Sequence, residues 1–365
     1  MTVADLKHSP LDAAHRRLGA KMGPFAGWEM PIEYAGTLSE HRAVREAAGL
    51  FDLTHLGKVE VRGAGAHAAL QHALTNDLDR LGRAGAAQYT LCLDDRGGIV
   101  DDLIVYREQD GWLLVPNAAN WPAVAELVRA SAGPGTQVTP RPDLAVLAVQ
   151  GPRAPELVGA LFPAAGTLAY MHAVPVAYGG EPARLARTGY TGERGFELLV
   201  PGGVAGRAWE ELLERGAPLG AVPAGLGARD TLRLEMGYAL HGNDISPATD
   251  PYTAGLGWAV APAKGGFRGR DEILRRRDAG VERVLTGLAS TDRLIPRHGM
   301  QVLQGEQVVG EVTSGTFSPT LRHGIALAYL RRDLAEPGVE VEVDVRGRRG
   351  RARVTKPPFV RSSPR

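Results

Sequence analysis

The chain has 365 residues, 44% of them hydrophobic and 23% charged, which is enough for a large core and for two or three domains. Its 42 basic and 41 acidic residues leave a net charge of +1, which excludes a global field that would draw it to nucleic acid or to a membrane surface. A single cysteine, Cys92, excludes an internal disulfide. With no signal-peptide pattern and no long uncharged apolar run, we expect a cytoplasmic protein that does not span a membrane.

The first compact pattern alternates strands with two helices. The predicted strands are 58–62, 89–93, 99–107 and 112–115, and the predicted helices are 64–74 and 119–130. This order is typical of a small α+β sandwich of the split-βαβ, ferredoxin-like type. A segment rich in glycine and proline, 133–142, marks its end.

The rest of the chain divides into a mixed part and a strand-rich part. A strand at 145–150, a helix from Pro152, a hairpin that carries Glu197 and helices at 204–215 and 228–236 come first. The strands predicted after that are 285–290, 301–303, 307–313, 325–330, 339–345 and 351–355. They predict a small β-barrel or jelly roll. The last hairpin is rich in arginine but poor in aromatic residues, which favours a solvated surface over a nucleic-acid site.

One carboxylate, Glu197, stands in an apolar strand directly after a glycine-punctuated turn. Strand alternation puts it on the face opposite Phe196 and Leu198. If both faces are covered, the charge needs a cation or a strong donor to offset its desolvation, and a ligand with an amidine-like N–H edge would fit. The alternative is a half-exposed strand with Glu197 in water.

Two adjacent acids, Asp101 and Asp102, lie in an apolar run after a Gly-Gly turn. Neighbouring residues of a strand face opposite sides, so one acid is expected to point inward, where burial raises its pKa and suits it to proton transfer. The alternative is a pair of acids in water at a hairpin end. Tyr89 and Asn117 could line the same cleft, and Asn120 either joins them or caps the following helix.

Arg229 falls in the first turn of a predicted helix that follows a glycine-rich segment. A cation there opposes the helix dipole, so we expect an anion or a polar oxygen nearby. The alternative is a weak ion pair of Asp230 with Arg229 or with Arg233.

Taken together, these motifs resemble the aminomethyltransferases of the glycine cleavage system, the T-protein family. The resemblance covers nearly the whole chain in order, which makes it more specific than any single motif. Its segments are Phe-Ala-Gly-Trp-Glu-Met-Pro at 25–31, Asp-Leu-Thr-His-Leu-Gly at 52–57, 97–102, 149–152, 187–197, 225–235, Gly-Thr-Phe-Ser-Pro-Thr-Leu at 315–321, and 356–359. Thr54 and Leu56 stand where the family often has Ser and Met, and whether Arg361 or Arg365 reaches the folate tail stays open.

The resemblance implies a fold and a reaction. The fold is a three-domain α+β cloverleaf around a central folate site: residues 1–54 plus 142–278 form a discontinuous folate-binding domain, 55–141 an inserted α+β domain, and 279–365 a C-terminal β-barrel domain. The reaction moves the methylene of an aminomethyl group, carried on the dihydrolipoyl arm of H-protein, to tetrahydrofolate. Its products are 5,10-methylenetetrahydrofolate, ammonia and dihydrolipoyl H-protein.

The resemblance also implies roles for individual residues. Asp102 matches the catalytic acid near N10 of folate, with Asp101 as the fallback. Glu197 matches the acid that binds the pterin, and Arg229 matches an arginine that contacts folate at the pterin oxygen or at the glutamate tail. The positions that match ring-stacking or hydrogen-bonding residues of the folate site are Tyr89, Asn117, Tyr170, Tyr190, Tyr238 and Trp258.

Two other functions are compatible with the same fold. A folate-dependent demethylase or oxidase module would take its one-carbon unit from a small methylated molecule, but the full matches at 25–31 and 97–102 disfavour it. A non-enzymatic folate-binding protein could dispense with Asp102. The ten histidines show no ligand spacing, so no metal site is predicted. The resemblance implies lipoylated H-protein as the partner, and we expect no nucleic acid, membrane or metal.

Overall fold

The computed structural model describes residues 6–361 of the chain. Arg365, one of the two arginines considered for the folate tail, lies outside this range. In chain order the strands are β1 (Lys7–His8), β2 (Lys21–Phe25), β3 (Trp28–Glu33), β4 (Ala48–Asp52), β5 (Val59–Arg62), β6 (Ala87–Leu93), β7 (Ile99–Glu108), β8 (Gly111–Val115), β9 (Gln137–Pro140), β10 (Leu144–Gln150), β11 (Ala173–Tyr178), β12 (Glu181–Ala186), β13 (Gly195–Pro201), β14 (Ala221–Pro223), β15 (Arg283–Ser290), β16 (Gln301–Gln304), β17 (Gln307–Phe317), β18 (Gly324–Arg331), β19 (Glu340–Val345) and β20 (Arg348–Thr355). The α-helices are α1 (Asp12–Arg17), α2 (Thr37–Glu46), α3 (Ala66–Ala73), α4 (Trp121–Ala130), α5 (Ala154–Gly159), α6 (Gly202–Gly216), α7 (Leu226–Glu235) and α8 (Arg270–Ala279).

A six-stranded sheet of order β11-β12-β13-β10-β4-β14 carries Glu197 on β13. Its central strand β10 is buried along its whole length, because both faces of the sheet are covered. On one face Phe196 and Leu198 pack with Trp209 of α6. On the other face Leu199 packs with residues of α2, α7 and the five-stranded sheet. Both faces of β13 are therefore covered. This is the condition under which the charge of Glu197 needs a cation or a strong donor nearby.

The five-stranded sheet has the order β6-β7-β8-β5-β9, with α3 and α4 against one face. The observed ends of its predicted strands and helices lie within two residues of the predicted ones. Three strands stand between the two helices, one more than in a four-stranded split βαβ unit. The additional strand reverses the direction of the chain, so β8 pairs with β5 in antiparallel direction.

The last six strands close into a barrel of order β15-β18-β17-β16-β19-β20, which confirms the predicted β-barrel. A bulge between Val312 and Ser314 lets β17 continue to Phe317, beyond its predicted end at residue 313. In the arginine-rich hairpin, Arg349 pairs with Glu306 and Glu342 of neighbouring barrel segments. The prediction of a mixed α+β fold is confirmed as well. We propose the division into 1–54 plus 142–278, 55–141 and 279–365, because each part contains its own sheet or barrel.

Among the helices of residues 6–361, none combines the length and the apolar character needed to cross a bilayer.

Helix α7 joins the six-stranded sheet to the barrel through buried ion pairs. Arg233 Nη1 lies 2.8 Å from Asp244 Oδ2, and Arg233 Nη2 donates to Ser314 at the same distance. Glu235, at the end of α7, is fully buried and accepts hydrogen bonds from Arg45 Nη2 at 2.8 Å and from Thr320 Oγ1 at 3.0 Å. Burial raises the pKa of Glu235, but the hydrogen bond and charge of His41 at 3.3 Å, followed by Ser318 and Arg45, outweigh it and lower the pKa to about 2 from its usual 4.5.

We predict that Glu235→Gln lowers the free energy of unfolding at pH 7 by about 3 kcal/mol, because a charge with a depressed pKa is lost from a buried pair. The pKa of Glu235 is lower in the folded state, so its stabilisation is complete above the ordinary pKa of 4.5 and disappears as the pH falls toward 2. The difference between variant and wild type should therefore narrow across that range. Urea unfolding at several pH values measures it.

Glu193→Gln is the matched control, since Glu193 also pairs with Arg45, at 2.7 Å, but its side chain is 14% exposed. We expect a smaller loss of stability at pH 7, because this pair is partly exposed to solvent. Equal losses in the two variants at every pH would contradict the role given to Glu235.

Candidate active site

Strand β7 presents its two acids to different parts of the molecule. Asp101 shares a face with Leu103, which packs in the core beneath α3 and α4. Asp102 shares the other face with Tyr106, which packs in the core between the five-stranded and six-stranded sheets. Asp101 is fully buried, whereas Asp102 is partly exposed. Asp102 is therefore the acid on the Glu197 side of the sheet.

Amide groups hold both carboxylates of the pair. Asp101 accepts hydrogen bonds from the backbone N–H of Asn117 at 2.9 Å, from Asn117 Nδ2 at 2.8 Å and from Asn120 Nδ2 at 2.7 Å. Asn117 Nδ2 also donates to Asp102 Oδ1 at 3.0 Å. The side chain of Asn120 makes no capping hydrogen bond to α4, so of its two predicted roles it fulfils the one in the acid network.

Burial raises the pKa of both acids. Burial and the charge of Asp102 raise the pKa of Asp101 to about 7, although the asparagine donors oppose this. Burial likewise raises the pKa of Asp102, while the Tyr89 hydroxyl and the positive charge of His241 lower it. Two carboxyls this close titrate as a unit, so the pair holds one proton near neutral pH.

Two aromatic rings stand beside Asp102. The Tyr89 hydroxyl donates to Asp102 Oδ2 at 3.0 Å. The Tyr89 ring stacks on Trp258, with 5.1 Å between their centroids. Trp258 is 64% exposed, an unusual position for a tryptophan. The pair forms an aromatic surface that runs from the acid to the outside of the protein.

Glu197 receives a hydrogen bond that sequence reasoning did not foresee. Thr188 Oγ1 donates to Glu197 Oε2 at 2.5 Å and lies 3.1 Å from the Tyr106 hydroxyl. Burial raises the pKa of Glu197, and Thr188 and the positive charge of Arg229 lower it in part. Tyr170 lies close enough to help raise the pKa of Tyr106. Glu197 is thus not a solvated strand residue.

Arg229 lies on the same side of the site as Glu197. Its guanidinium stands 4.6 Å from the centroid of the Tyr190 ring, which in turn lies 5.5 Å from that of Tyr238. Asp230 pairs with Arg233 and not with Arg229. Within residues 6–361, Arg229 has no ion pair or hydrogen bond from its side chain, and burial lowers its pKa. A partly buried cation of this kind fits a ligand that brings an oxygen or a negative charge.

Two glycines lack a side chain where neighbouring segments of the site pack closely. A Cβ on Gly98 would lie 2.0 Å from the carbonyl oxygen of Pro247, which packs over the turn before β7. Gly192 has φ +80°, and a Cβ there would meet the Met236 sulfur at 2.2 Å. A larger residue at position 98 would push the turn before Asp102 away from Pro247. A larger residue at position 192 would push the turn after Tyr190 away from Met236.

The predicted residues fall into two groups. Asp102, Tyr89, Asn117 and Trp258 form the first, and Glu197, Arg229, Tyr190, Tyr238 and Tyr170 form the second. An electrostatic effect links the groups, since the charge of Asp102 raises the pKa of Tyr190. Sequence reasoning missed Thr188 and His241. Thr188 stands within the segment that carries Glu197, but a lone threonine or histidine has no spacing pattern that would identify it.

Among the described residues, His8, Asp12 and Glu29 lie close enough together to share a cation. Arg16 already occupies both carboxylates, through Asp12 at 3.0 Å and Glu29 at 2.5 Å. This group makes no contact with the Asp102 network, and we assign it no role there.

Comparison with known proteins gives the context of this site. Residues 11–264 match the model of the GCVT N-terminal domain, and residues 283–361 match that of the glycine cleavage T-protein C-terminal barrel domain. An aminomethyltransferase of Frankia alni is 55% identical over 369 residues, which is 100% of both chains. One from Mycobacterium tuberculosis is 49% identical over 362 residues, 98% of each chain. The crystal structure of glycine cleavage system aminomethyltransferase T from Bartonella henselae, 37% identical, superposes with a TM-score of 0.91 over 97% of this chain and 98% of that one.

Sheet, barrel and relatives together define a one-carbon transferase. Since identity to the curated aminomethyltransferases reaches 55% over the full length, the chain belongs to the glycine cleavage T-protein family. The predicted family and enzyme class are confirmed. The family in general is folate-dependent and works with H-protein.

We predict that Thr188→Val raises the pKa of Glu197 by roughly one unit, because it removes a hydrogen bond to the charged form while keeping the side-chain volume. ¹³C NMR of the glutamate carboxyl carbons measures this titration. Thr191→Val is the control, since the buried Thr191 hydroxyl donates to Gln150 at 2.9 Å and does not touch Glu197. An equal shift in both variants would show that the effect does not pass through the Thr188 hydrogen bond.

Proposed function

We propose that this chain transfers the methylene of an aminomethyl group from the dihydrolipoyl arm of H-protein to tetrahydrofolate, with release of ammonia and formation of 5,10-methylenetetrahydrofolate. One observation carries the proposal: Glu197 is a partly buried carboxylate with Thr188 as its hydrogen-bond donor, and it lies close enough to the guanidinium of Arg229, which is unpaired within residues 6–361, for each charge to shift the pKa of the other. Both charges need a polar partner that the described residues do not supply.

The pterin of tetrahydrofolate has the chemistry that these two groups require. Its amidine-like N–H edge can donate two parallel hydrogen bonds to the Glu197 carboxylate. Arg229 can then donate to the pterin oxygen or to the anionic glutamate tail of folate. Glu197 therefore binds and orients the reduced pterin, and Thr188 holds the carboxylate in place for it.

Aromatic rings would hold the remainder of the ligand. The rings of Tyr190 and Tyr238 are tilted by 30° with centroids 5.5 Å apart, next to Arg229, and Tyr170 lies on the Glu197 side. Tyr89 and Trp258 form the aromatic surface beside Asp102. Flat rings of this kind fit a planar heterocycle and a benzoyl ring by stacking.

Asp102 is the proposed catalytic residue. When the lipoyl sulfur leaves, positive charge develops on the methylene and its nitrogen, and a carboxylate held at that point stabilises it. Asn117 and Tyr89 fix the orientation of the carboxylate before the substrates arrive. The proton that the Asp101–Asp102 pair holds near neutral pH is available for the amine as ammonia departs. Binding folate beside the arm adds a large effective concentration.

Lipoylated H-protein is the proposed partner and the cytoplasm the proposed location. The aromatic surface from Asp102 to the exposed Trp258 provides a path by which an arm from outside would reach the acid. A single, fully buried free cysteine suits a reducing compartment.

The test of the function is direct. The protein is mixed with tetrahydrofolate and aminomethylated H-protein, and ammonia and methylenetetrahydrofolate are measured. We expect both products in equal amounts, and only when both substrates are present. Folate binding without ammonia above the folate-only background would identify a binding protein. One-carbon transfer from a small methylated amine without H-protein would identify a demethylase.

We predict that Asp102→Asn lowers kcat by about 10²-fold or more with little change in folate affinity, because it removes charge that acts in the transition state. Steady-state kinetics measure this effect. Unchanged turnover in Asp102→Asn would remove Asp102 from this role and direct attention to Asp101.

Glu197→Gln is the converse variant: it should weaken folate binding by roughly 10-fold to 100-fold, as expected for loss of a hydrogen bond to a charged group. Folate titration measures this effect.

A further inference from the structure

The segment 259–268 covers the C-terminal end of α3, the helix that packs on the five-stranded sheet. The backbone N–H of Ala261 donates to the carbonyl oxygen of Thr75 at 3.0 Å, and that of Arg268 donates to the carbonyl oxygen of His72 at 2.9 Å. The last carbonyl groups of a helix have no partner within the helix itself. The segment therefore caps α3 with groups from a distant part of the chain.

Lys264 lies at the centre of this cap. Its ammonium donates to the carbonyl oxygens of Gln71 at 2.7 Å, Leu74 at 2.5 Å and Asn76 at 2.9 Å. A lysine ammonium has three N–H donors and no acceptor, so three carbonyl oxygens match its donor capacity. The ammonium therefore fixes the chain at the point where it leaves α3.

Asn76 connects this cap to the first ring of the aromatic surface. Its backbone carbonyl accepts from Lys264, and its side-chain Nδ2 donates to the carbonyl oxygen of Tyr89 at 2.9 Å. The backbone N–H of Asn76 donates to the hydroxyl of Thr90, the next residue of β6, at 3.1 Å. Asn76 therefore lies between Lys264 and the part of β6 that carries the Tyr89 ring.

Thr75 connects the cap to the second ring. Its buried hydroxyl donates to the carbonyl oxygen of Ala259 at 2.8 Å. Ala259 directly follows Trp258, and both lie in the short helical turn Gly257–Ala259. Because Trp258 is largely exposed, the position of its ring depends on its own backbone and on the stack with Tyr89.

We propose that Lys264 is a positioning residue for the stacked rings of Tyr89 and Trp258: by holding residues 74–76, it keeps both rings beside Asp102, where tetrahydrofolate is proposed to bind. This inference rests on the proposed function and extends it. Without the ammonium, three carbonyl groups at the end of α3 lose a donor, and the segments that carry the two rings are no longer held to the same point. Lys264 itself does not touch the ligand in this scheme.

The first test is spectroscopic and does not depend on activity. The protein is labelled with 5-fluorotryptophan, and the ¹⁹F resonance of Trp258, one of five tryptophans, is assigned by its absence from Trp258→Phe. Tyr89→Leu shows where this resonance lies when the stack is lost. Lys264→Met keeps the length of the side chain but has no donor, and we expect it to move the Trp258 resonance toward that position. The resonance of the fully buried Trp209 should not move.

The second test separates binding from turnover. We expect Lys264→Met to raise KM for tetrahydrofolate by about fivefold, which is in the range for a weakened aromatic contact. Equilibrium binding of tetrahydrofolate should weaken by a similar factor. In contrast, kcat should stay within about twofold, because the hydrogen bonds from Asn117 to the acid pair are retained.

Lys58→Met is the matched control. Lys58 is also a buried lysine whose ammonium donates to a backbone carbonyl, that of Thr54 at 2.8 Å, in the segment before β5. The control should lose stability in urea unfolding but leave the Trp258 resonance and KM for tetrahydrofolate unchanged. A Trp258 shift as large as that in Lys264→Met would contradict the specific role given to Lys264.

Thr75→Val is a second variant that leaves Lys264 in place. It keeps the volume of the side chain and removes the hydroxyl that reaches the Ala259 carbonyl. We expect it to move the Trp258 resonance in the same direction as Lys264→Met, because it breaks the connection between the cap and the turn that carries Trp258.

The outcomes separate this inference from the proposed function. If Lys264→Met loses stability while the Trp258 resonance and folate affinity stay at their wild-type values, Lys264 only caps α3 and the inference is overturned. If circular dichroism shows that Lys264→Met does not fold, Thr75→Val decides, and an unmoved Trp258 resonance would overturn the inference equally. If the wild-type protein forms no ammonia, the proposed function fails, and the ¹⁹F spectra still decide whether Lys264 positions Trp258.

Discussion

Helix α7 carries three charged side chains into the interior of the protein. Each charge needs a polar or charged partner, and the partners come from different segments. Glu235 is balanced by Arg45 of α2 and by Thr320 of a barrel loop. Arg233 is balanced by Asp244 and by Ser314 of β17. Arg229, one turn nearer the start of the helix, stands over the Tyr190 ring and forms no ion pair with another described residue. The first two pairs hold the barrel against the six-stranded sheet, and the third side chain is the one that we propose for ligand binding.

This arrangement explains why the site can keep charges that a core would reject. Breaking a buried pair costs several kcal/mol, so the pairs at Arg233 and Glu235 fix the position of α7 firmly. Because the helix is fixed, Arg229 lies close enough to Glu197 for each charge to shift the pKa of the other. Within the described residues the two side chains do not form the direct ion pair that would neutralise both. The acid pair on β7 is also held in place before any ligand binds. Asparagine amides donate hydrogen bonds to its carboxylates, and burial keeps the pKa of Asp101 high. Such prior placement of charges and donors is how enzymes reduce reorganisation during a reaction.

Local patterns anticipated much of the fold and part of the site. The alternation in β13 placed Glu197 opposite Phe196, and the observed cores cover both faces of that strand. Adjacent acids in an apolar strand implied that Asp101 and Asp102 face opposite ways. The pattern left open which of them faces Glu197, because that depends on which side of the sheet α3 and α4 cover. Asn120 shows the same limit, since its side chain serves the acid and not the helix that follows it.

The amino-acid sequence by itself determined the strands and helices between residues 58 and 130, the strand-rich C-terminal part and the family, because alternation, helical periodicity and motifs are properties of neighbouring residues. That the last six strands close into a barrel was left open against a jelly roll, and the structure decided it. Only the tertiary structure decided that Thr188 donates to Glu197, that Arg229 forms no ion pair within residues 6–361 and that His241 anchors to Ile99, 142 residues earlier in the chain. These contacts join segments whose separation in sequence carries no periodic signal. Their energies depend on burial and on the distance between charges, which exist only after the sheets, α7 and the loop at 237–241 have packed together.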